Sequence, residues 1–231
     1  MGVKSFFKRL IFGSETIDNI DSEINGEILI AEDIFGRREM IIGKVCQSGG
    51  LVKKLWKTVL SFKFVCRRTN FKRCLILGLG TGTIAKLIAE KFPQTKIIGV
   101  EIDPKVVEIG KKYFDLDKIP NLKIIVGDAF EIINNPKFGV RGSKFDLILV
   151  DLYLGQEFPP KAETEDFLKN IKKMLVKSGL VVFNRLYFNK KHQQKAGIFL
   201  EKVKQVYLSI KIKKSITNLI ILTSLEAKNE V

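Results

Sequence analysis

The sequence predicts an α/β fold: a seven-stranded, mostly parallel sheet with an antiparallel last strand, preceded by a small N-terminal β-hairpin. From residue 74 onward, short apolar runs alternate with amphipathic helical stretches, as in parallel sheets with crossover helices. Glycines in the spacing G-x-G-x-G directly follow the first apolar run. Only a short turn separates the last two runs, so these must pair antiparallel, because parallel neighbours need a long crossover.

The elements of this domain follow from the apolar periodicity. The predicted strands are Cys74–Leu79, Lys96–Glu101, Leu122–Val126, Phe145–Asp151, Leu180–Leu186, Ser209–Lys213 and Asn218–Thr223. The predicted helices are Thr83–Lys91, Pro104–Phe114, Ala129–Asn134, Glu163–Val176 and Lys190–Tyr207. Ser178 and Gly179 are predicted to end the fourth helix as its C-cap.

The first third of the chain is predicted to form a β-rich appendage. Two strand-like runs, Glu27–Ala31 and Met40–Val45, flank a turn at Phe35-Gly36-Arg37, and a helix is predicted over Leu51–Val65. The chain is therefore divided into an N-terminal segment (1–24), a hairpin appendage with its connecting helix (25–73), a Rossmann-like ligand-binding domain (74–224) and a tail (225–231).

The composition limits the class of protein. A chain of 231 residues can hold one α/β domain with a small appendage. Because it has no apolar run of roughly 18 residues, no membrane span is expected. Cys46, Cys66 and Cys74 show no metal-ligand spacing, and the single histidine, His192, cannot complete a site with them. These features predict no metal and a reducing, cytoplasmic location.

The net charge of +15 would attract nucleic acid or acidic substrates. Most basic residues are scattered along the chain, so nucleic-acid binding stays open but is not favoured. One denser basic patch consists of Lys63, Arg67, Arg68, Lys72 and Arg73.

The glycine turn is the first feature that indicates a ligand. Gly78, Gly80 and Gly82 allow a sharp turn and a close approach of the backbone to a bound molecule. A helix starting near Thr83 would point its free N–H groups at that molecule. NAD-binding turns usually read G-x-G-x-x-G, whereas position 83 is threonine here, which favours a nucleoside without a pyrophosphate.

Acidic residues follow the next strands at the same edge of the predicted sheet. Glu101 ends the second strand, where a carboxylate can accept both ribose hydroxyls. Asp128 follows the third strand, where it could accept an exocyclic amine, cap a helix, or do both. Asp151 ends the fourth strand, where a buried carboxylate has little structural purpose. Together, these residues predict a nucleoside site with an adjacent reactive carboxylate.

On these residues the chain resembles class I S-adenosylmethionine-dependent methyltransferases, and within that fold it is most similar to spermidine synthases. The resemblance implies that the glycine turn wraps the methionine part, that Glu101 binds the ribose and Asp128 the adenine, and that Asp151 faces the acceptor amine. It also implies that Gln47, in the hairpin appendage, lies beside the nucleoside. The implied cofactor-binding residues are Gln47, Gly78, Gly80, Thr81, Gly82, Glu101, Ile102, Asp128, Ala129 and Asp151.

The chain departs from the spermidine synthase pattern at three places. Thr81 stands where that family has the aspartate that binds the donor amine, and Leu154 replaces a second aspartate near the acceptor. Gly49-Gly50-Leu51-Val52 replaces a Tyr-His-Glu-type stretch. Because an alkylammonium group needs carboxylates to replace its lost water, these changes argue against polyamine synthesis.

The favoured function is therefore S-adenosylmethionine-dependent methyl transfer to an unknown small-molecule acceptor. Asp151 would act on the acceptor nucleophile, and Tyr153 would stack on a flat or cationic acceptor or simply cover the core. Arg185 could hold an acidic substrate, although a solvated strand end is favoured. The alternatives are aminopropyl transfer from decarboxylated S-adenosylmethionine and a non-catalytic nucleoside- or RNA-binding module. A homodimer is compatible with the family resemblance.

Overall fold

The computed structural model describes residues 13–43, 45–62, 65 and 71–225, which form two β-sheets and the helices that cover them. One sheet is antiparallel and four-stranded, and the other has seven strands. Within the described residues, every helix is too short or too polar to cross a lipid bilayer.

The N-terminal sheet is larger than the predicted hairpin. Its strands, in spatial order, are β1 (Ser14–Ser22), β2 (Gly26–Asp33), β3 (Arg38–Ile42) and β4 (Val45–Ser48). The predicted hairpin corresponds to β2 and β3, whereas β1 lies in the segment for which no strand was predicted. A register shift between Thr16 and Asp18 breaks the alternation of buried and exposed residues in β1, so the period-2 signal is lost.

Helix α1 (Gly50–Leu60) connects the two sheets and is shorter than the predicted Leu51–Val65 helix. Its buried face carries Trp56, Val59 and Leu60. Since Trp56 is fully buried in the core on one face of the larger sheet, this face of the helix fixes the appendage against the main domain.

The larger sheet confirms the predicted seven strands with an antiparallel last strand. Its strands are β5 (Arg73–Leu77), β6 (Lys96–Glu101), β7 (Leu122–Val126), β8 (Phe145–Val150), β9 (Leu175–Leu186), β10 (Ser209–Lys214) and β11 (Asn218–Ser224). Their spatial order is β10-β11-β9-β8-β5-β6-β7, in which β5 to β9 are parallel and β11 runs antiparallel between β9 and β10.

Helices cover both faces of this sheet. They are α2 (Thr83–Lys91), α3 (Pro104–Phe114), α4 (Ala129–Asn134), α5 (Glu165–Lys173) and α6 (Lys190–Val206). Alternate residues of β5 enter opposite cores: Leu75 and Leu77 pack with α4 to α6, whereas Cys74 and Ile76 pack with α1 and α2. This two-sided burial explains why the parallel strands are continuous apolar runs in the sequence.

The start of β9 differs from the prediction. The strand begins at Leu175 instead of Leu180, so Ser178 and Gly179 lie inside it and the predicted helix C-cap is wrong. The β8–β9 register shifts between Phe145 and Leu147, and a Cβ at Gly179 would lie 3.0 Å from the Phe145 carbonyl oxygen. The glycine therefore serves a close approach of two strands.

A buried carboxylate ties the N-terminal sheet to the main domain. Asp103 caps α3 by accepting a hydrogen bond from the Lys105 N–H at 2.8 Å. Its other carboxylate oxygen accepts from the Ser22 hydroxyl and, at 2.6 Å, from the Asn25 amide. The N-terminal sheet is thereby held over the carboxyl ends of the parallel strands.

Candidate functional site

A cavity of about 490 Å³ opens at the carboxyl ends of β5, β6, β7 and β8. Residues that directly follow these strands form its base, and Gln47 and Ser48 of β4 reach it from the N-terminal sheet. This edge is where parallel α/β sheets bind their ligands. We refer to it below as the first cavity.

The glycine turn lets the chain leave β5 close to the end of β8. Gly78 has φ +86°, and a Cβ there would collide with the carbonyl oxygen of Asp151. Gly80 has φ +56° and faces the first cavity, where its nearest neighbour would be the Ser48 Oγ at 3.5 Å. Gly78 is thus required by packing, whereas Gly80 leaves backbone open to a ligand.

Thr81 and Gly82 do not line the first cavity. Gly82 begins α2 with φ +90°, and a Cβ there would collide with Leu116. Thr81 is 1% exposed, and among the described residues its hydroxyl finds no hydrogen-bond partner. Both residues lie behind the turn, and their assignment to cofactor binding stays a prediction.

Glu101 supports the turn and also lines the cavity. It is buried, and its two carboxylate oxygens accept hydrogen bonds from the Gly80 N–H at 2.8 Å and the Asp103 N–H at 3.1 Å. Burial raises the pKa of its carboxyl group, and these N–H donors partly oppose that shift. Ile102 lines the cavity beside it.

Asp128 is the N-cap residue of α4 and lies at the cavity wall. Its Oδ1 accepts a hydrogen bond from the Phe130 N–H at 2.7 Å, as an N-cap does. Among the described residues, its second oxygen accepts no hydrogen bond, and Asp128 and Ala129 both line the cavity. One carboxylate can therefore cap the helix and still accept a hydrogen bond from a ligand.

Asp151 carries the carboxylate with the most unusual surroundings. Its Oδ1 accepts from the Asn184 amide at 2.7 Å, and its Oδ2 accepts from the Trp56 indole N–H at 3.2 Å. Burial raises the pKa of Asp151 to about 6, against the opposing effect of these two donors. Such a carboxylate is ionised at neutral pH and can still take up a proton. The contact with Trp56 was not predicted.

Tyr153 is held by the backbone of β9. Its hydroxyl donates to the Asn184 carbonyl oxygen at 3.1 Å and accepts from the Leu186 N–H at 2.7 Å. Burial raises the pKa of the phenol. Because both hydrogen bonds fix the hydroxyl, Tyr153 can offer its ring to an acceptor but not a mobile proton. Its catalytic role stays a prediction.

Gln47 bridges the N-terminal sheet and the loop after β8. Its amide donates to the Gly155 carbonyl oxygen at 2.7 Å, and its side chain lines the first cavity. Gln47 therefore lines the cavity, where the sequence placed it beside a ligand, and also makes a structural contact across that cavity.

Arg185 lies outside the cavity, and the expected solvated strand end is wrong. Its side chain is 3% exposed and forms an ion pair with Glu163 at 2.6 Å. The guanidinium carbon also lies 3.9 Å from the Phe158 ring centroid. Arg185 is shielded from solvent because aromatic side chains of α6 and of the loop after β8 cover it.

Several predicted features fall wholly or partly outside the described residues. Cys66 lies outside the described residues. Three members of the basic patch also lie outside them: Lys63, Arg67 and Arg68. Of the remaining two, Arg73 is half-buried, donates to the Ser143 hydroxyl at 3.1 Å and lies over the Phe145 ring. Within the described ranges, no cluster of His, Cys, Asp and Glu side chains could hold a metal ion.

Two curated relatives show the sequence relationships of the chain. A polyamine aminopropyltransferase from Vibrio vulnificus is 32% identical over 154 residues, covering 67% of this chain and 50% of that protein. An eEF1A lysine and N-terminal methyltransferase homolog from Drosophila pseudoobscura pseudoobscura is 28% identical over 153 residues. The match covers 64% of this chain and 23% of that protein. The chain thus spans half or less of the length of these relatives.

Solved structures show the same fold. A probable spermidine synthase from Corynebacterium glutamicum superposes with a TM-score of 0.74 at 20% identity, covering 90% of this chain and 79% of that one. Human methyltransferase-like protein 13, in complex with SAH, gives a TM-score of 0.62 at 22% identity. This superposition covers 78% of this chain and 84% of that one. Residues 57–229, well over half of the chain, match the spermine/spermidine synthase domain model. The chain therefore belongs to the spermine/spermidine synthase domain family.

Proposed function

We propose that this protein is an S-adenosylmethionine-dependent transferase that transfers the methyl group to an acceptor. One observation carries the proposal: Glu101, Asp128 and Asp151 lie around one cavity at the carboxyl ends of β6, β7 and β8. The eEF1A lysine and N-terminal methyltransferase homolog among its relatives supports methyl transfer. When bound, the cofactor supplies a methyl group on a sulfonium, a leaving group that needs no further activation.

The residues around the first cavity fit the nucleoside. The open oxygen of Asp128 can accept from an adenine amine, while its partner oxygen keeps the helix cap. Glu101 can accept from ribose hydroxyls with the lone pairs that Gly80 and Asp103 leave unused. The exposed backbone at Gly80 gives room for the methionine part.

Asp151 would act on the acceptor. Its carboxylate can orient a nucleophile by a hydrogen bond and take its proton, because its pKa of about 6 keeps it ionised at neutral pH. The hydrogen bond from Gln47 to Gly155 joins two walls of the cavity and would limit access of water. The enzyme's main contribution is then alignment of the two reactants.

Methyl transfer is favoured over aminopropyl transfer by two side chains. Both donors carry an ammonium group, but aminopropyl transfer adds a polyamine acceptor, whose further ammonium groups need carboxylates once they are desolvated. Position 81 instead has a buried hydroxyl that does not face the cavity, and Leu154 presents an apolar side chain to it.

Aminopropyl transfer is the second candidate, since the chain is 32% identical to a polyamine aminopropyltransferase. A non-catalytic nucleoside- or RNA-binding module is the third; the retained Glu101, Asp128 and Asp151 argue against it. A steep loss of RNA affinity with salt would favour that third candidate. A cytoplasmic location and a homodimer belong to the proposal as well.

Calorimetric titration of the purified protein with S-adenosylmethionine, its decarboxylated form, methylthioadenosine and NAD tests the proposal. We expect the tightest binding for S-adenosylmethionine and none for NAD. Tighter binding of the decarboxylated donor would replace methyl by aminopropyl transfer. Binding of none of the four ligands would refute the enzymatic proposal.

A further inference from the structure

The edge of the larger sheet at β10 has no neighbouring strand among the described residues. In the spatial order of the strands β10 comes at one end, where it pairs with β11 on its inner side. An open edge strand presents backbone N–H and C=O groups that can hydrogen-bond a further strand. This edge can therefore accept an extended segment of another molecule.

The register of the β10–β11 hairpin determines which backbone groups face outward. The Ser215 N–H donates to the Asn218 carbonyl oxygen at 2.8 Å, so these two residues form a hydrogen-bonded pair. Hydrogen-bonded and non-hydrogen-bonded pairs alternate along an antiparallel ladder. The residues of β10 that direct their N–H and C=O groups to the open edge are therefore Ile210, Ile212 and Lys214.

The two faces of β10 differ in their chemistry, because side chains alternate between the faces of a strand. Ile210 packs against the core that α4 to α6 cover, and Ile212 lies on the same face and is 44% exposed. Lys211 and Lys213 lie on the other face, where the Lys213 Nζ is 5.8 Å from the centroid of the Phe62 ring. A strand added to this edge would thus meet one apolar face and one basic face.

Exposed apolar side chains also flank the strand. Leu208 and Ile216, on either side of β10, are 76% and 93% exposed. Within β10 there are three lysines and no acidic residue. Exposed apolar side chains next to charges of one sign are typical of a binding surface for a partner of opposite charge.

A second copy of β10 does not fit this edge. A two-fold antiparallel pairing centred on Ile212 would place Lys211 opposite Lys213, and like charges that lie directly opposite destabilise a sheet. Residues 1–12 of the chain match no better, because they include three basic and no acidic residues. The occupant that the charges favour is a segment with carboxylates.

We propose that β10 binds an acidic segment of a partner protein, which extends the larger sheet as an added strand with alternating carboxylate and apolar side chains. The outward N–H and C=O groups of β10 hydrogen-bond the backbone of this segment. Its carboxylates lie beside the lysines of one face, and its apolar side chains cover Ile210 and Ile212 on the other. The net charge of +15 attracts such a segment. The inference does not depend on the proposed transferase activity.

Fluorescence anisotropy of a labelled peptide tests this inference. The probe is a blocked octapeptide in which glutamate and valine alternate, and the matched peptide has lysine in place of glutamate. We expect the glutamate peptide to bind at least about tenfold more tightly than the lysine peptide, because only its side chains pair with the lysines of β10. Absence of binding of the glutamate peptide would overturn the inference and leave these lysines as protection against edge-to-edge aggregation.

A charge reversal on each edge strand separates local pairing from net charge. Lys213→Glu should weaken binding of the glutamate peptide about fivefold, and because Lys213 is exposed the variant should fold. Lys123→Glu makes the same change of charge at an exposed position of β7, the strand at the opposite edge of the sheet. We expect it to weaken binding less than about twofold. Equal effects of the two variants would contradict the assignment to β10.

Hydrogen exchange measured by NMR distinguishes strand addition from attraction of charge alone. Saturation with the glutamate peptide should slow exchange of the N–H groups of Ile210, Ile212 and Lys214, which face the open edge. The N–H groups of Lys211 and Lys213 face β11 and should change less. Binding without this alternating protection would refute an added strand.

Two competing occupants give different results. A uridine oligonucleotide that displaces the labelled peptide at a lower concentration than unlabelled glutamate peptide of equal charge would assign the surface to nucleic acid. Sedimentation of the free protein tests for a second copy. A dimer that the glutamate peptide dissociates would assign the edge to another copy of this chain. Either result would overturn the inference, whereas a monomer and preference for the peptide support it.

Discussion

The two cavities on either side of Asp151 are built in different ways. The base of the first is formed by residues at the ends of consecutive strands, where Glu101 accepts a hydrogen bond from the Gly80 N–H, although side chains of β3, β4 and α1 also line it. The second, of about 280 Å³, is lined by residues of β4, α1, the loop after β8, the end of β9 with the loop that follows it, and the start of β11. The base of the proposed cofactor half of the site is therefore a local product of the fold, whereas the proposed acceptor half depends on segments that are distant in the sequence.

This difference predicts different sensitivities to mutation. Glu101 and Asp128 accept hydrogen bonds from backbone N–H groups beside them and do not line the second cavity, so their loss should weaken a ligand of the first cavity without affecting the second. Asp151 is held instead by Trp56 of α1 and Asn184 of β9, far from it in the sequence. Substitutions there should affect the reaction more than cofactor binding.

The largest expected effect is that of Asp151→Asn. Loss of a base should lower kcat about 100-fold or more, because positioned proton acceptors typically contribute at least this much. The Kd for S-adenosylmethionine should change less than about threefold, since Glu101 and Asp128 are the residues proposed to contact the nucleoside. Single-turnover methylation and calorimetry measure the two quantities. Unchanged turnover would remove Asp151 from the mechanism.

The pH dependence of turnover gives the next largest effect. Burial disfavours the charged carboxylate of Asp151 and raises its pKa from the usual 3.8 to about 6. Turnover should therefore fall about tenfold per pH unit below pH 6 and level off above it, as the base becomes protonated. The pH profile of kcat measures this limb. A limb near pH 4 would mean that Asp151 is solvated during the reaction.

The acids of the first cavity could be predicted from the sequence, because each ends or follows a strand that the apolar pattern identifies. The prediction of Glu101, Asp128 and Asp151 needed only the ends of the strands and the rule that parallel strands end at one edge of the sheet. Trp56 could not be assigned to Asp151, because the contact spans 95 positions and a tryptophan on an amphipathic helix indicates only core packing. The second cavity was missed for the same reason.

Two other failures have local causes. Arg185 follows the pattern of a strand end, yet aromatic residues from α6 and the loop after β8 cover it. Strand β1 escaped prediction because its register shift disrupts the alternation of buried residues. Both outcomes depend on tertiary packing that local periodicity does not record.

Asp128→Asn should affect the first cavity alone. Asparagine caps helices as well as aspartate, so α4 and the thermal stability should be preserved. Its oxygen would remain on the Phe130 N–H, and its NH₂ group would face the ligand in place of an acceptor. The Kd for S-adenosylmethionine should rise about tenfold while kcat changes little. A larger loss of kcat than of affinity would contradict the division between the cavities.

The smallest expected effect concerns the support of Asp151 from β11. The Asn218 amide donates to the Asn184 Oδ1 at 2.9 Å, which turns the Asn184 NH₂ group toward Asp151. Asn218→Ala removes this constraint and should lower kcat about threefold, with a small upward shift of the pH limb. Asn218→Asp should shift the limb further upward, because a carboxylate attracts the Asn184 NH₂ group and leaves an oxygen facing Asp151. The pH profiles of both variants measure the effect, and cofactor affinity should stay constant. If neither variant moves the limb, Asn184 holds its orientation without β11, and the acceptor half of the site is less distributed than the structure indicates.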